Sequence, residues 1–186
     1  RDTLVPMREL RFATLDRTAV TYREVGDGED PTPPVFTGHA AVFNQRALIG
    51  GKRWGFVEEI DTGAFTPALA RSDVRMLHNH DPSVLLGRTT NGTLRLLEDT
   101  TGLAVEDDFP DTSQARDLAV LLDRKDLNQM SFAFTVAVEE WRWLDDDDPE
   151  YPGMELRTIK EFEEIYDVAT VTYPAYVGTD AGLRGA

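Results

Sequence analysis

Residues 128–141 read NQMSFAFTVAVEEW. Successive side chains of a strand point to opposite faces, so Met130, Phe132, Phe134, Val136 and Val138 share one side. That side is large and apolar and reads as core. Ser131, Ala133, Thr135 and Ala137 occupy the other side, where an approaching molecule would meet only small groups.

The same period of two recurs outward from this stretch. VFTGHAAVF (35–43), WGFVEEI (54–60), VRMLHNH (74–80) and GLAVEDDF (102–109) read as strands. VLLGRTT (84–90) and TLRLLED (93–99) flank Asn91-Gly92, the dipeptide that most favours a two-residue hairpin turn. ELRTIKEFEEIYDVATVTYPAY (155–176) supplies one or two more strands ending at Pro174. TGAFTPALARS (62–72) is a short helix candidate with Pro67 in its first turn. DTSQARDLAVLLDRKDL (111–127) is an amphipathic helix with Asp111 or Thr112 as N-cap and Ala115, Leu118, Ala119 and Leu122 on one face. LDDDDPEYPG (144–153) is a solvated loop, since four adjacent carboxylates cannot be buried together.

Many short strands with few helices predict a mainly β (α+β) fold, and the reading favours a closed or nearly closed β-barrel carrying helices. The run GDGEDPTPP (26–34) divides the chain into an N-terminal arm and linker, residues 1–34, and a barrel domain, residues 35–186.

The chain has 186 residues, one domain's worth, and no apolar run of the ~20 residues that cross a bilayer. No apolar N-terminal segment resembles a signal peptide. The absence of cysteine excludes disulfides, zinc–thiolate sites and a thiol nucleophile, and fits a cytosolic or virion-interior protein. The net charge is −15, and residues 58–186 carry 27 of the 34 acidic side chains. Such a surface repels phosphate backbones, which argues against nucleic-acid binding; it serves solubility or a basic protein partner.

Three places can carry chemistry. His78 and His80 share an H-x-H spacing that zinc ligands use, but the third histidine is distant His39 and no carboxylates are spaced to complete a site. The alternative is a strand end, with Asp81-Pro82 opening a turn. Ser131 lies on the small-residue face described above and outside any G-x-S-x-G elbow, so an α/β-hydrolase is not supported. Asp167 shares a strand face with Ile165, Ala169 and Val171 by alternation, and a carboxylate in such a row needs a histidine, an arginine or a backbone donor. Together they would supply a base, a nucleophile and an orienting acid.

The segments GHAAVFN, EEIDTGAF, NHDPSVLLGRT, GLAVEDDF, MSFAF and EIYDVATVTYPAY, in this order from Gly38 to Tyr176, resemble the prohead (procapsid) maturation proteases of tailed phages. That family is similar in fold to the herpesvirus assemblins, serine proteases built on a β-barrel with surrounding helices. The resemblance implies a serine endopeptidase with His80 as general base, Ser131 of M-S-F as nucleophile and Asp167 as the acid. Asp167 departs from the more usual Glu and Ala169 stands where the family often has Ser, which leaves Glu163, Glu164 and Asp81 as rival third members. Arg88 of L-G-R is similar to a family residue, with structural support and substrate contact as the open readings of its role. His78 is read as a structural companion of His80.

The resemblance further implies capsid-protein precursor and scaffold segments as substrates, self-cleavage, and a location in the host cytoplasm inside the assembling procapsid rather than secretion. It implies no metal and no cofactor, no nucleic-acid or membrane partner, and is compatible with a homo-oligomer. The contrasting expectations are an inactive capsid-assembly or scaffold module with the same barrel, and a metal-dependent hydrolase.

Overall fold

The structure, a computed structural model, describes residues 7–14, 19–21, 33–51 and 53–173. These form eleven strands, two α-helices and a single 3-10 turn. In chain order they are β1 (Glu9–Thr14), β2 (Ala19–Thr21), β3 (Val35–Val42), β4 (Ala47–Ile49), β5 (Phe56–Ile60), α1 (Thr66–Leu69), β6 (Arg75–His78) and β7 (Asp81–Arg88). There follow the 3-10 turn Thr89–Asn91, β8 (Leu94–Glu98), β9 (Gly102–Asp108), α2 (Ser113–Asp123), β10 (Gln129–Trp143) and β11 (Glu155–Thr170).

The stretch NQMSFAFTVAVEEW lies in β10, one arm of a long antiparallel hairpin with β11. The hairpin is the middle of a seven-stranded sheet ordered β1-β10-β11-β5-β4. β11 pairs in parallel with β5 through Leu156–Ile159 and with β6 through Asp167–Thr170, and β7 folds back on β6. A four-stranded sheet, β2-β3-β9-β8, supplies the other layer.

The two sheets share one core. Phe65, Phe132, Phe134 and Phe162 are buried in contact, with ring centroids 4.4 Å apart for Phe65–Phe162 and 4.9 Å for Phe134–Phe162. From the second sheet come Phe36, Leu103 and Val105, and Phe36 stacks on Phe109 at 5.8 Å. Burying each such ring is worth about 1.5–3 kcal/mol, so this cluster is the main adhesive between layers. Helix α2 adds Ala115, Leu118, Ala119 and Leu122, the face its periodicity predicts. Thr112 is its N-cap and accepts a hydrogen bond from the Ala115 amide at 3.2 Å. The helix stops at Asp123, four residues before the expected end, and Lys125 turns the chain away with a φ of 66°.

Several expectations need correction. The mainly β character with few helices is as expected, but neither sheet closes on itself through the described pairings, and the described residues form two sheets on one core. The hairpin expected at Asn91-Gly92 does not form. β7 pairs with β6 and β8 pairs with β9, so the dipeptide passes the chain from one sheet to the other and joins no hairpin. Asn91 belongs to the 3-10 turn and only Gly92 has positive φ, at 73°. Core burial along β10 ends at partly buried Val136, and Val138 is exposed; register shifts interrupt the alternation on both sides of Val136. The C-terminal stretch from Glu155 is one strand of 16 residues; its expected end at Pro174 lies outside the described residues. The linker 26–34 is also largely outside them. Of the first 34 residues, β1 pairs with β10 and β2 pairs with β3.

Candidate active site

The turn between β6 and β7 places the first of the three candidate side chains. His78 and Asp81 face each other across the strand pair, which leaves Asn79-His80 as a two-residue turn. Both central residues have positive φ, 53° and 57°, the type I′ geometry whose twist matches that of the flanking strands. Asn adopts this conformation readily; His does so at some cost, and such strain collects at functional sites. The turn is tied to the end of β11. The Asn79 amide donates to Thr170 O at 2.8 Å, and the Thr172 amide donates to Asn79 Oδ1 at 2.8 Å. His78 Nδ1 meets Thr170 Oγ1 at 3.0 Å, and burial pushes its imidazole below the usual histidine range. His78 is therefore the structural companion expected, whereas the clamp made by Asn79 had no signature in the sequence.

β10 and β11 place the other two. Ser131 lies opposite Ala169, and Ala133 opposite Asp167. The next pair is Phe134 with Ile165, so Tyr166 is an extra residue, a bulge. This corrects the sequence reading in which Ile165 and Asp167 share a face. Ile165 enters the core beside Phe134, while Asp167 projects with Ser131 and Ala133 from the opposite side. That side is covered too: Ser131 is fully buried and the Asp167 side chain is 3% exposed.

His80 reaches over this face between them. Its Nε2 is 2.6 Å from Ser131 Oγ and its Nδ1 is 2.5 Å from Asp167 Oδ1. The tautomer that satisfies both partners carries its proton on Nδ1, donates to the carboxylate and accepts the serine hydroxyl at Nε2. The imidazole is 15% exposed, making it the member of the three that faces solvent. The second carboxylate oxygen of Asp167 accepts from Arg8 Nη2, a partner that the sequence reading did not anticipate.

The rival acids lie elsewhere. Glu163 and Glu164 are exposed. Asp81 is exposed and closes an Asx-type turn on Ser83, accepting from its hydroxyl at 2.6 Å and its amide at 2.8 Å, which hold the carboxyl below its ordinary range. Arg88 grips Asp73 through Nε at 2.9 Å and Nη2 at 2.5 Å, a clamp between β7 and the segment before β6 that pulls the Asp73 carboxyl down to about 2. His39, on β3 of the other sheet, pairs with Asp99 at 2.9 Å, so the three histidines do not converge.

A serine hydroxyl hydrogen-bonded to an imidazole, whose other nitrogen is held by a buried carboxylate, is the arrangement by which hydrolases activate serine. Here it sits on a mainly β scaffold. The model of the caudovirus prohead serine protease family matches residues 18–185, and the chain belongs to that family. No curated protein and no solved structure matches it.

Proposed function

We propose that the protein is a serine endopeptidase of phage procapsid maturation, with Ser131 as nucleophile, His80 as general base and acid, and Asp167 as the residue that orients the imidazole. The observation that carries this reading is the pair of contacts made by the His80 ring, 2.6 Å to Ser131 and 2.5 Å to Asp167, from residues 51 and 87 positions away in the chain.

The chemistry follows from that geometry. His80 Nε2 takes the Ser131 proton as Oγ bonds to the scissile carbonyl carbon, and the resulting imidazolium is stabilised by Asp167. Nε2–H then protonates the departing amine as the peptide C–N bond breaks, leaving an acyl-serine. Water, deprotonated by the same nitrogen, attacks the acyl carbon; the bond from that carbon to Oγ breaks, Nε2–H returns its proton to Ser131, and the acid is released. Ser131 is fully buried, so substrate entry requires its cover to part, and the exposed edge of His80 marks the approach.

The substrates are scaffold and capsid-precursor segments inside the assembling procapsid in the host cytoplasm, and the chain itself is another. Enclosure with its substrates gives a high effective concentration, so slow turnover in dilute solution accords with the role. The test is intact-mass analysis after treatment with a fluorophosphonate. One adduct on the native chain, absent from Ser131→Ala and His80→Ala, is expected; an adduct that persists in Ser131→Ala rejects the assignment. A native chain that stays unlabelled both alone and within co-expressed procapsids rejects the protease reading.

A further inference from the structure

Asp167 has two carboxylate oxygens, and each is engaged. One accepts from His80 Nδ1; the other accepts from the Arg8 guanidinium. Arg8 precedes β1, in a segment outside residues 18–185 that match the family.

The placement follows from the register. Leu10 pairs with Ala133, and Ala133 pairs with Asp167, so the three lie in a row across β1, β10 and β11. Arg8 is two residues before Leu10 and so shares its face. From there its side chain crosses the small residues of β10 to reach the carboxylate. Adjacent strands lie about 4.8 Å apart, so the crossing spans roughly 10 Å, which a long side chain can bridge only over small neighbours. The guanidinium also lies over the Tyr166 ring at 5.1 Å. Tyr166 is the bulge residue, so the same irregularity that turns Asp167 toward the site supplies the surface against which Arg8 rests.

Glu9 and Arg11 alternate to the other face and anchor the strand there. Arg11 Nη2 donates to Glu58 at 2.8 Å, and Arg157 donates to Glu9 and Glu58 at 2.7 and 3.0 Å. β1 is thus fastened by one face and offers Arg8 with the other.

We infer that Arg8 is a positioning residue of the active site: it fixes the Asp167 carboxylate so that one oxygen faces His80 Nδ1. This inference rests on the triad reading above. A buried carboxylate oxygen left without a donor turns to find one, and a small rotation of Asp167 displaces the imidazole from Ser131. The contacts of the guanidinium are with Asp167 and Tyr166 and not with Ser131, so its effect is expected on the bond-making step and not on ligand binding.

The experiment is fluorophosphonate inactivation kinetics on the full chain, separating the maximal rate kinact from the half-saturating concentration KI. Arg8→Ala is expected to lower kinact about tenfold to a hundredfold with KI unchanged. Arg8→Lys, which keeps a donor at that position, is expected to recover most of the loss. Glu9→Gln weakens β1 on its opposite face and is expected to retain native kinact. Unchanged kinact in Arg8→Ala, no recovery in Arg8→Lys, or an equal loss in Glu9→Gln would each overturn the inference.

A second readout does not need activity. The far-downfield proton resonance of His80 Nδ1–H is observed in Ser131→Ala and again after adding Arg8→Ala. Its loss or displacement supports the positioning role, and an unmoved resonance rejects it. A native chain that never labels thus rejects the triad reading alone, while the resonance still decides on Arg8.

Discussion

The β10–β11 hairpin is one pair of strands with two different surroundings. At its base, residues 130–135 are buried on both faces, with phenylalanines on the core side and Ser131 and Ala133 on the other. Toward its tip, residues 137–143 are exposed, including Val138, Trp141 and Trp143. Both halves have strand-like composition, so composition does not separate them. Neighbours do: β1 pairs with β10 only as far as Phe134, and beyond that point β10 has β11 on one side alone among the described residues. β11 stays buried at Leu156–Ile159, near the tip, because β5 lies along it there. Burial along a strand is thus set by which strands flank it, and the site occupies the stretch flanked on both sides.

The sharpest way to break this comparison is at the base. Ser131→Ala and His80→Ala are expected to abolish fluorophosphonate labelling; Asp167→Asn, which gives His80 the wrong hydrogen-bonding partner, to slow it about 10³- to 10⁴-fold. Equal labelling of Asp167→Asn and native protein would remove Asp167 from the site. On the core side of the same strands, Phe162→Ala empties a space lined by Phe65, Phe132 and Phe134. A loss of about 3–5 kcal/mol by urea denaturation is expected.

Asp107, on β9, tests the seam between the sheets. Its two carboxylate oxygens are buried with no hydrogen-bond partner among the described residues, and a Cβ at Gly87 of β7 would stand 1.7 Å from Oδ1. Burial first, and then the neighbouring charge of Asp108, pushes its carboxyl up to about 7. The folded protein therefore holds a proton that the unfolded chain releases near pH 4. This group costs nothing below pH 4; its cost grows as pH rises from about 4 and levels off above about 7. Asp107→Asn is expected to remove that part of the decline, gaining a few kcal/mol at pH 8 and almost nothing at pH 4. Parallel stability–pH curves for the two proteins would contradict it. The smallest effects belong to the tip: Trp143→Ser and Asp146→Asn are expected to shift stability by less than about 0.5 kcal/mol and to leave labelling unchanged.

Much of this molecule is legible in local pattern. Strand alternation identifies the core face of β10 through Phe134, and the capping residue with the 3.6-residue period identifies α2. The proposed triad is legible only in part. Ser131 on a small-residue face and Asp167 as an acid in an apolar strand are visible singly, but it took the ordered family segments to associate them with His80. What stays hidden is what two strands decide jointly. The bulge at Tyr166 that sends Asp167 to the far face exists only in the pairing with β10. Asn91-Gly92 carries the stronger hairpin signal, yet the type I′ turn forms at Asn79-His80, where tertiary bonds to Thr170 and Thr172 favour it. Arg8 meets Asp167 across 159 residues of sequence, a distance no local pattern spans.

The ties between the Asn79-His80 turn and the end of β11 bear on when in its own synthesis the protein can become reactive. The chain emerges from the ribosome with histidine first, serine next and the acid last. A nascent chain that has delivered β6 and β10 but not β11 lacks Asp167, the strand beside which β6 lies, and Thr170 and Thr172, to which the turn is fastened. A product that ends between Ser131 and Asp167 therefore carries the proposed nucleophile without the carboxylate that would orient His80. On the proposed assignment, translation order itself acts as a safety catch, because the site is complete only once the chain has passed the end of β11.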